Sequence, residues 1–132
     1  MCKPAGTGAE RIAARTADYI RRQYRNPLLK VQDIAGELHF SAAYVSRLFR
    51  QEMNKKLWDY VTELRMEEAK HLLASTDMKR YEIAYAVGYE SPEHFSRMFK
   101  RYEGVSPSNY RKSAFLPDRP DVIANIERTL PK

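Results

Sequence analysis

Apolar residues recur at helical spacing along most of this chain, and that periodicity predicts a protein built from helices. The stretch 83–111 shows the pattern most clearly: a short run of small apolar residues ends at Gly88, and a longer amphipathic run follows. Glycine is free to take a positive φ at such a turn. Ser91 has the side chain of a helix N-cap, and Pro92 suits the first helical position, where no backbone donor is needed. The stretch is therefore predicted to form a helix-turn-helix.

This unit occurs twice in the chain. Ile34 and Ser46 match Ile83 and Ser96, an offset of 49 residues before the turn and 50 after it, so the second turn holds one extra residue. The apolar positions of the two segments coincide, which predicts the same fold for each. The outward positions coincide as well, since each segment places Ser-Arg on its polar side. A repeated core alone would indicate only that the two units share a fold. The repeated Ser-Arg pair indicates that their outward faces also share a function.

The predicted fold is all-α, with about seven helices in two helix-turn-helix subdomains bridged by one long shared helix. Asn54 and Gly104 follow the second helix of each unit, and both are predicted to be left-handed residues that end it. The bridging helix carries a mixed-charge run that includes Arg65 and is expected to be a solvated face. The predicted elements are a first helix at 10–25, a first helix-turn-helix at about 30–53, the bridging helix at 56–75, a second helix-turn-helix at about 80–103 and a last helix at 108–113.

The ends of the chain differ in composition from this central region, which spans 10–113. Residues 1–9 are small and polar, and they are expected to form a flexible N-terminus or a linker. Residues 114–132 contain three prolines and are expected to be a C-terminal tail. Apolar residues at 122, 123, 126 and 130 leave two structures open for the tail, a small amphipathic helix and disorder.

The polar side of the second helix in each unit is the candidate site. With the apolar side chains turned inward, the remaining positions must face outward together. They are Ala42, Ala43, Ser46, Arg47 and Arg50 in the first unit, and Pro92, Glu93, Ser96, Arg97 and Lys100 in the second. Small residues at the start of the first of these helices let its N-terminus, whose free amides can bind a phosphate, approach a partner closely.

Composition narrows the class of protein without fixing it. The 23 basic and 17 acidic residues give a net charge of +6, which favours a polyanionic partner. The only cysteine, Cys2, fits a reducing cytoplasm, and the three histidines are too scattered for a metal site. No phosphate-binding glycine loop, nucleophile motif or long apolar span is present, so no enzyme, cofactor or membrane span is predicted. The acidic residues leave one alternative open, a helical module that binds another protein and never contacts DNA.

The chain resembles the AraC/XylS family of transcriptional regulators over about residues 10–113. The resemblance is carried by Ile83-Ala84, Gly88-Tyr89, Phe95 to Lys100, Gly104, Ser106-Pro107 and Tyr110-Arg111. The spacing of Tyr60, Leu64-Arg65-Met66, Ala69 and Leu72-Leu73 is also similar to the family's central helix. Within the family, the chain is most similar to the C-terminal domains of YesN-type two-component response regulators.

The resemblance implies a sequence-specific DNA-binding domain of a bacterial transcriptional regulator, with two recognition helices inserted into successive major grooves. Arg47 and Arg97 are the expected base contacts, because a guanidinium can donate two hydrogen bonds to a guanine edge. Arg50 and Lys100 lie a turn further along and suit phosphates. The other outward residues would give shorter polar or methyl contacts. Many relatives carry a larger side chain at the position of Ala43, which implies weaker direct readout by the first unit.

The expected partners are double-stranded DNA, at an asymmetric site with two boxes about one turn apart, and RNA polymerase. A sensor or receiver domain is expected before this domain in a longer regulator, and a small stand-alone regulator is the alternative. The protein is expected in the cytoplasm, associated with the nucleoid when it is bound to DNA.

Overall fold

The computed structural model describes residues 8–115, and this part of the chain is helical with no β-strand. The predicted all-α fold with about seven helices is confirmed. Helix α1 begins at Gly8, inside the segment expected to be flexible, whereas residues 1–7 and 116–132, with the candidate tail helix, lie outside the described residues. The helices are α1 Gly8–Gln23, α2 Val31–Leu38, α3 Ala42–Met53, α4 Leu57–Ser75, α5 Arg80–Val87, α6 Pro92–Glu103 and α7 Pro107–Phe115.

The chain divides into two units, Met1–Arg65 and Met66–Lys132, and α4 contributes one half to each. In the first unit, α1 packs against both α2 and α3, and the first half of α4 completes the core. Side chains from all four helices are fully buried in this core, including Ile20, Ile34, Phe49 and Val61. Each large apolar side chain buried in this way contributes roughly 1.5–3 kcal/mol to folding. The buried side chains of α3 therefore determine which of its residues face outward.

The second unit is built around a row of aromatic rings. Tyr89, Phe95, Phe99 and Tyr110 follow one another with centroid separations of 5.7, 5.8 and 5.6 Å. Aromatic pairs at such distances contribute about 0.5–1.5 kcal/mol each beyond the area they bury. The row joins α6 to the turn before it and to α7 after it. Apolar residues of α4 and α5 fill the rest of this core.

The turns of both helix-turn-helix units depend on a left-handed residue. Gly88 has a φ of 115°, as predicted for a glycine at this turn, and His39 at the equivalent position has a φ of 65°. In the first turn, the Phe40 N–H donates to the Ala35 carbonyl at 3.0 Å, and the equivalent bond in the second turn is 2.9 Å long. These bonds satisfy carbonyls that the end of a helix leaves free.

One prediction about the bridging helix is wrong. Arg65, expected on a solvated face, is only 5% exposed. Its Nε donates to the Tyr24 carbonyl at 2.7 Å and its Nη2 to the Asn26 carbonyl at 3.1 Å, just after α1 ends. Arg111 on α7 donates in the same way to two carbonyls at the end of α4, at 3.0 and 2.9 Å. In each unit, an arginine therefore caps the helix that precedes the helix-turn-helix, where free carbonyls attract a cation.

Candidate nucleic-acid interface

Helices α3 and α6 begin and end in the same way. Ser41 and Ser91 are their N-caps, and each Oγ accepts the backbone N–H three residues later, at 3.2 and 3.1 Å. Asn54 and Gly104 end the helices with φ values of 61° and 87°. Both N-caps and both left-handed ends are as predicted. The caps fix the same twelve-residue length for the two helices, so equivalent residues lie at equivalent depths along them.

Each of the two helices has a basic edge on its outer side. The apolar residues turn inward, as the spacing predicted, and Val45, Phe49, Phe95 and Phe99 are fully buried. On both helices, two cations are exposed beside a half-buried serine. The basic edge consists of Ser46, Arg47 and Arg50 on α3, and of Ser96, Arg97 and Lys100 on α6.

The first turns of the two helices are less alike. Ala43 and its equivalent Glu93 are exposed, as predicted. The prediction that Ala42 faces outward with them is wrong, because Ala42 is half-buried and packs against the core of the first unit. It lies on the same side of α3 as Val45, three residues later, and therefore turns with it. Pro92, the equivalent of Ala42, is half-buried as well.

A groove runs beside the basic edge of each helix. The two grooves have volumes of about 400 and 470 Å³ and are bounded by the start of the next helix in the chain. The first groove is lined by Val31, Ser46, Arg47, Arg50, Lys56, Leu57 and Trp58. The second groove is lined by Ser96, Arg97, Lys100, Arg101 and Ser106. Equivalent residues of the repeat thus form a cationic groove in both units.

Sequence reasoning missed the charged and aromatic groove residues outside the basic edges, which are Lys56, Trp58 and Arg101. Lys56 and Ser106 are related by the same offset of 50 as the basic edges, so the repeat itself could have identified this position. Trp58 is 38% exposed, and the Arg65 guanidinium lies 5.5 Å from its ring centroid. An exposed aromatic residue beside cations carries no sequence pattern of its own.

Glu93 brings a negative charge to the start of α6. A hydrogen bond from its own backbone N–H, followed by one from the Ser91 hydroxyl at 3.2 Å, lowers the pKa of Glu93 below its usual value of 4.5, and the nearby Arg80 and Arg97 add to the effect. The carboxylate is therefore ionised at neutral pH, where it accepts hydrogen bonds and donates none. Such a group can accept from the amino group of a cytosine.

Arg80, the first residue of α5, reaches across to α6. Its Nη1 donates to the Ser96 Oγ at 2.7 Å and to the Pro92 carbonyl at 3.2 Å. In the first unit, Val31 occupies the equivalent position and lines the first groove together with Ser46. The two serines of the repeat thus have different neighbours, a guanidinium in one unit and an apolar side chain in the other.

Within residues 8–115, no three histidine, cysteine, aspartate or glutamate side chains are grouped so that they could hold a metal ion. None of the helices described above is both long and apolar enough to cross a membrane.

Comparison with known proteins agrees with this geometry. A family model described as a helix-turn-helix domain matches residues 34–113. YisR of Bacillus subtilis, an uncharacterised HTH-type transcriptional regulator, is 41% identical over 103 residues, which are 78% of this chain and 36% of YisR. The C-terminal domain of AraT, a response regulator from Geobacillus stearothermophilus, is 36% identical with a TM-score of 0.78, over 81% of this chain and 88% of that domain. The C-terminal domain of the two-component response regulator yesN from Fusobacterium nucleatum is 31% identical with a TM-score of 0.73, over 80% of this chain and 99% of that domain.

These matches confirm the resemblance stated from the sequence. They do not favour a protein-binding module without DNA contacts, and the family is one of transcriptional regulators and not of enzymes. The chain spans about a third or less of the length of the curated relatives it matches. It belongs to the AraC-type helix-turn-helix family and is a DNA-binding domain of a transcriptional regulator.

Proposed function

We propose that this domain binds an asymmetric duplex site by inserting α3 and α6 into two successive major grooves. The observation that carries the proposal is the duplicated basic edge, in which a serine, an arginine and a second cation have the same exposures on two equivalent helices. A single solvated, basic helix face would be weak support, because many surface helices have one. Two such faces, each with a cationic groove beside it, support one polyanionic ligand that offers two equivalent binding surfaces.

The roles within this proposal follow from the chemistry of each side chain. Arg47 and Arg97 donate to guanine edges. Ala43 supplies a methyl contact, and Glu93 accepts from a cytosine amino group or repels sites that lack one. Ser46, Ser96 and Pro92 contact neighbouring base edges. Because Ala42 turns toward the core, it is not part of this set.

Phosphates are the proposed ligands of the remaining cations. Arg50 and Lys100 lie one turn further along their helices than the base-contacting arginines. Lys56 and Arg101 extend the cationic lining of the two grooves. Contacts to phosphate position a protein on the duplex without selecting a sequence, and they make its affinity depend steeply on salt.

The bridging helix supports a spacing of about one turn between the two boxes. Helix α4 has 19 residues, which correspond to roughly 28 Å at 1.5 Å per residue. One turn of DNA measures about 34 Å, which is close to this length. Two boxes centred about one turn apart make a proposed site of roughly 17–20 base pairs for one copy of the domain. Any bend needed for both helices to enter their grooves would add sequence preference between the boxes.

Selection of binding sites from a library of random duplexes, followed by footprinting, tests the proposal. We expect two protected boxes, and we expect insertion of about half a turn of DNA between them to remove most specific affinity, because one box then faces the far side. Trp58 is the only tryptophan and lines the first groove, so its fluorescence reports occupation of the first unit. A footprint over one box that is indifferent to the insertion would show that one unit is purely structural.

The longer protein is proposed to act at promoters in the cytoplasm, on the nucleoid, where the bound domain contacts RNA polymerase. A sensor or receiver domain is proposed to control it. The support is the similarity to domains of response regulators and the greater length of the curated relatives. Co-purification of the full-length protein with RNA polymerase on a promoter fragment, with and without phosphorylation, tests both partners.

A further inference from the structure

We infer that Arg80 sets the hydrogen-bond polarity of Ser96 and thereby specifies the base that the second unit accepts. Arg80 is a positioning residue in this inference, since it acts through Ser96. The inference deepens the proposed function and rests on it, because it requires α6 to contact base edges.

The geometry around Ser96 leaves its hydroxyl as a donor. The charged Nη1 of Arg80 lies 2.7 Å from the Ser96 Oγ and therefore occupies one of its two lone pairs. A serine inside a helix often donates to the carbonyl four residues earlier. Here that carbonyl, of Pro92, accepts from Arg80 at 3.2 Å. Among residues 8–115, the structure gives the Ser96 hydrogen no acceptor, so it is available to a ligand at the outer side of α6.

A donor hydroxyl distinguishes between base edges in the major groove. Guanine presents O6 and N7 there, thymine presents O4, and cytosine presents only an amino donor. The guanidinium also polarises the hydroxyl and strengthens its donation. Its positive charge, one hydrogen bond away, opposes the approach of an amino group. The pair Arg80–Ser96 therefore favours guanine or thymine and disfavours cytosine at the base it meets.

The first unit lacks this device. Val31 stands in the position of Arg80 and is partly buried against the core, so it offers Ser46 no hydrogen bond. The Ser46 hydroxyl can then donate to one base or accept from another. We expect the base opposite Ser46 to be less strictly selected than the base opposite Ser96. The difference lies outside both recognition helices, at the first residue of the preceding helix.

A direct contact of Arg80 with a phosphate would also affect binding, and it differs from positioning in what it changes. Loss of a phosphate contact weakens all duplexes alike and makes the salt dependence shallower. Loss of positioning changes the ratio between duplexes that differ at one base pair. It also has no effect once Ser96 is removed.

A double-mutant cycle on the selected duplex separates these roles. The variants are Arg80→Val, which copies the first unit, Ser96→Ala, and the two together, with Lys79→Ala as a matched loss of one neighbouring charge. Affinities are measured for the selected duplex, for its single-base variants and for random DNA, at several salt concentrations. We expect Arg80→Val to reduce the preference for the accepted base over cytosine about five- to tenfold, and to leave random DNA nearly unchanged.

In the Ser96→Ala background, Arg80→Val should have almost no further effect, because the residue it acts through is absent. Lys79→Ala should leave base preference intact. If Arg80→Val lowers the melting temperature, Arg80→Met, which keeps the apolar stem of the side chain, replaces it. Equal losses with and without Ser96, or equal losses on all duplexes, would overturn the inference. A wild-type domain that selects no sequence would instead overturn the proposed function, so the two failures are distinguishable.

Discussion

The two units of this domain share one framework and differ in the chemistry at the start of their recognition helices. In the second unit, Arg80 and Glu93 place opposite charges beside the first turn of α6. The first unit has Val31 and Ala43 at the equivalent positions. Duplicated folding requires only that the apolar, capping and turn positions be retained. Exposed positions are free to diverge, so under the proposed function the two units can select different boxes.

The turns show the same principle for backbone conformation. His39 has a φ of 65°, near the centre of the left-handed region, which residues other than glycine can occupy at some cost. Gly88 has a φ of 115°, far from that centre, and this conformation is accessible chiefly to glycine. One turn therefore tolerates a side chain that the other cannot. The extra residue in the second turn accompanies this difference.

The shared arginine caps offer the strongest way to break the similarity between the units. Arg65→Met should destabilise the first unit by about 3–4 kcal/mol, because two carbonyls lose a charged donor at a buried site. Arg111→Met should cost about half as much, since Arg111 is half-buried and water can replace it. Hydrogen exchange resolved by unit measures both. Arg22→Met, which removes an exposed arginine paired with Asp18, should cost no more than about 0.5 kcal/mol. Equal losses at positions 22 and 65 would contradict the capping role.

The two arginine caps were not predictable from the sequence, unlike the elements around them. The helices, the N-caps and the left-handed ends were predictable because each depends on local residue types at fixed spacing. Arg65 and Arg111 perform one task but are 46 residues apart, and the 50-residue repeat of the second helices pairs Arg111 with Val61. Arg65 lies four residues, about one helical turn, after Val61 on α4. An arginine in a run of mixed charges carries no mark of burial, so only the fold shows what it caps.

The basic edges of the candidate site were predictable because they too depend on local spacing. Contacts between residues far apart in the chain were not predictable in this way. Spacing along α3 and α6 identified the basic edges, but it placed Ala42 on the outer side, whereas Ala42 packs against the core. Arg80 reaches Ser96 from another helix, 16 residues earlier in the chain. Its repeat equivalent is Val31, so a comparison of the two units indicates no shared function there.

The turn residue of the second unit is expected to be the next most sensitive position. Gly88→Val should destabilise this unit by about 2–3 kcal/mol, because a β-branched residue cannot adopt a φ of 115° without strain. Thermal melting in the absence of DNA measures the loss without any contribution from lost contacts. Gly104→Ala is a matched control at a φ of 87° with nothing within 4 Å of an added Cβ, and it should cost roughly 1 kcal/mol. An unchanged midpoint for Gly88→Val would show that this turn does not need glycine.

Alanine at the two equivalent arginines sharpens the comparison on the DNA side. Arg47→Ala and Arg97→Ala should each cost roughly 1–3 kcal/mol on the selected site, and each should relax base preference in one box only. Lys100→Ala is the control, since loss of a phosphate contact should weaken all duplexes similarly and make the salt dependence shallower. Competition against point-mutated sites measures the preference box by box. If Arg97→Ala lowered specific and random binding by the same factor, its role in base contact would be wrong.

The smallest expected effect comes from moving the glycine of the second turn into the first. His39→Gly should stabilise the first unit by up to about 1 kcal/mol, because glycine does not have the Cβ clash that a left-handed φ of 65° imposes on histidine. The greater backbone entropy that glycine loses on folding keeps the gain below the full strain energy. His39→Ala is the matched control: it removes the exposed ring but keeps the strain, so its stability should stay near that of the wild type. Chemical denaturation with hydrogen exchange by unit measures both variants. A loss of stability in His39→Gly that His39→Ala shares would show that the imidazole, and not the conformation of the turn, is what the first unit uses at this position.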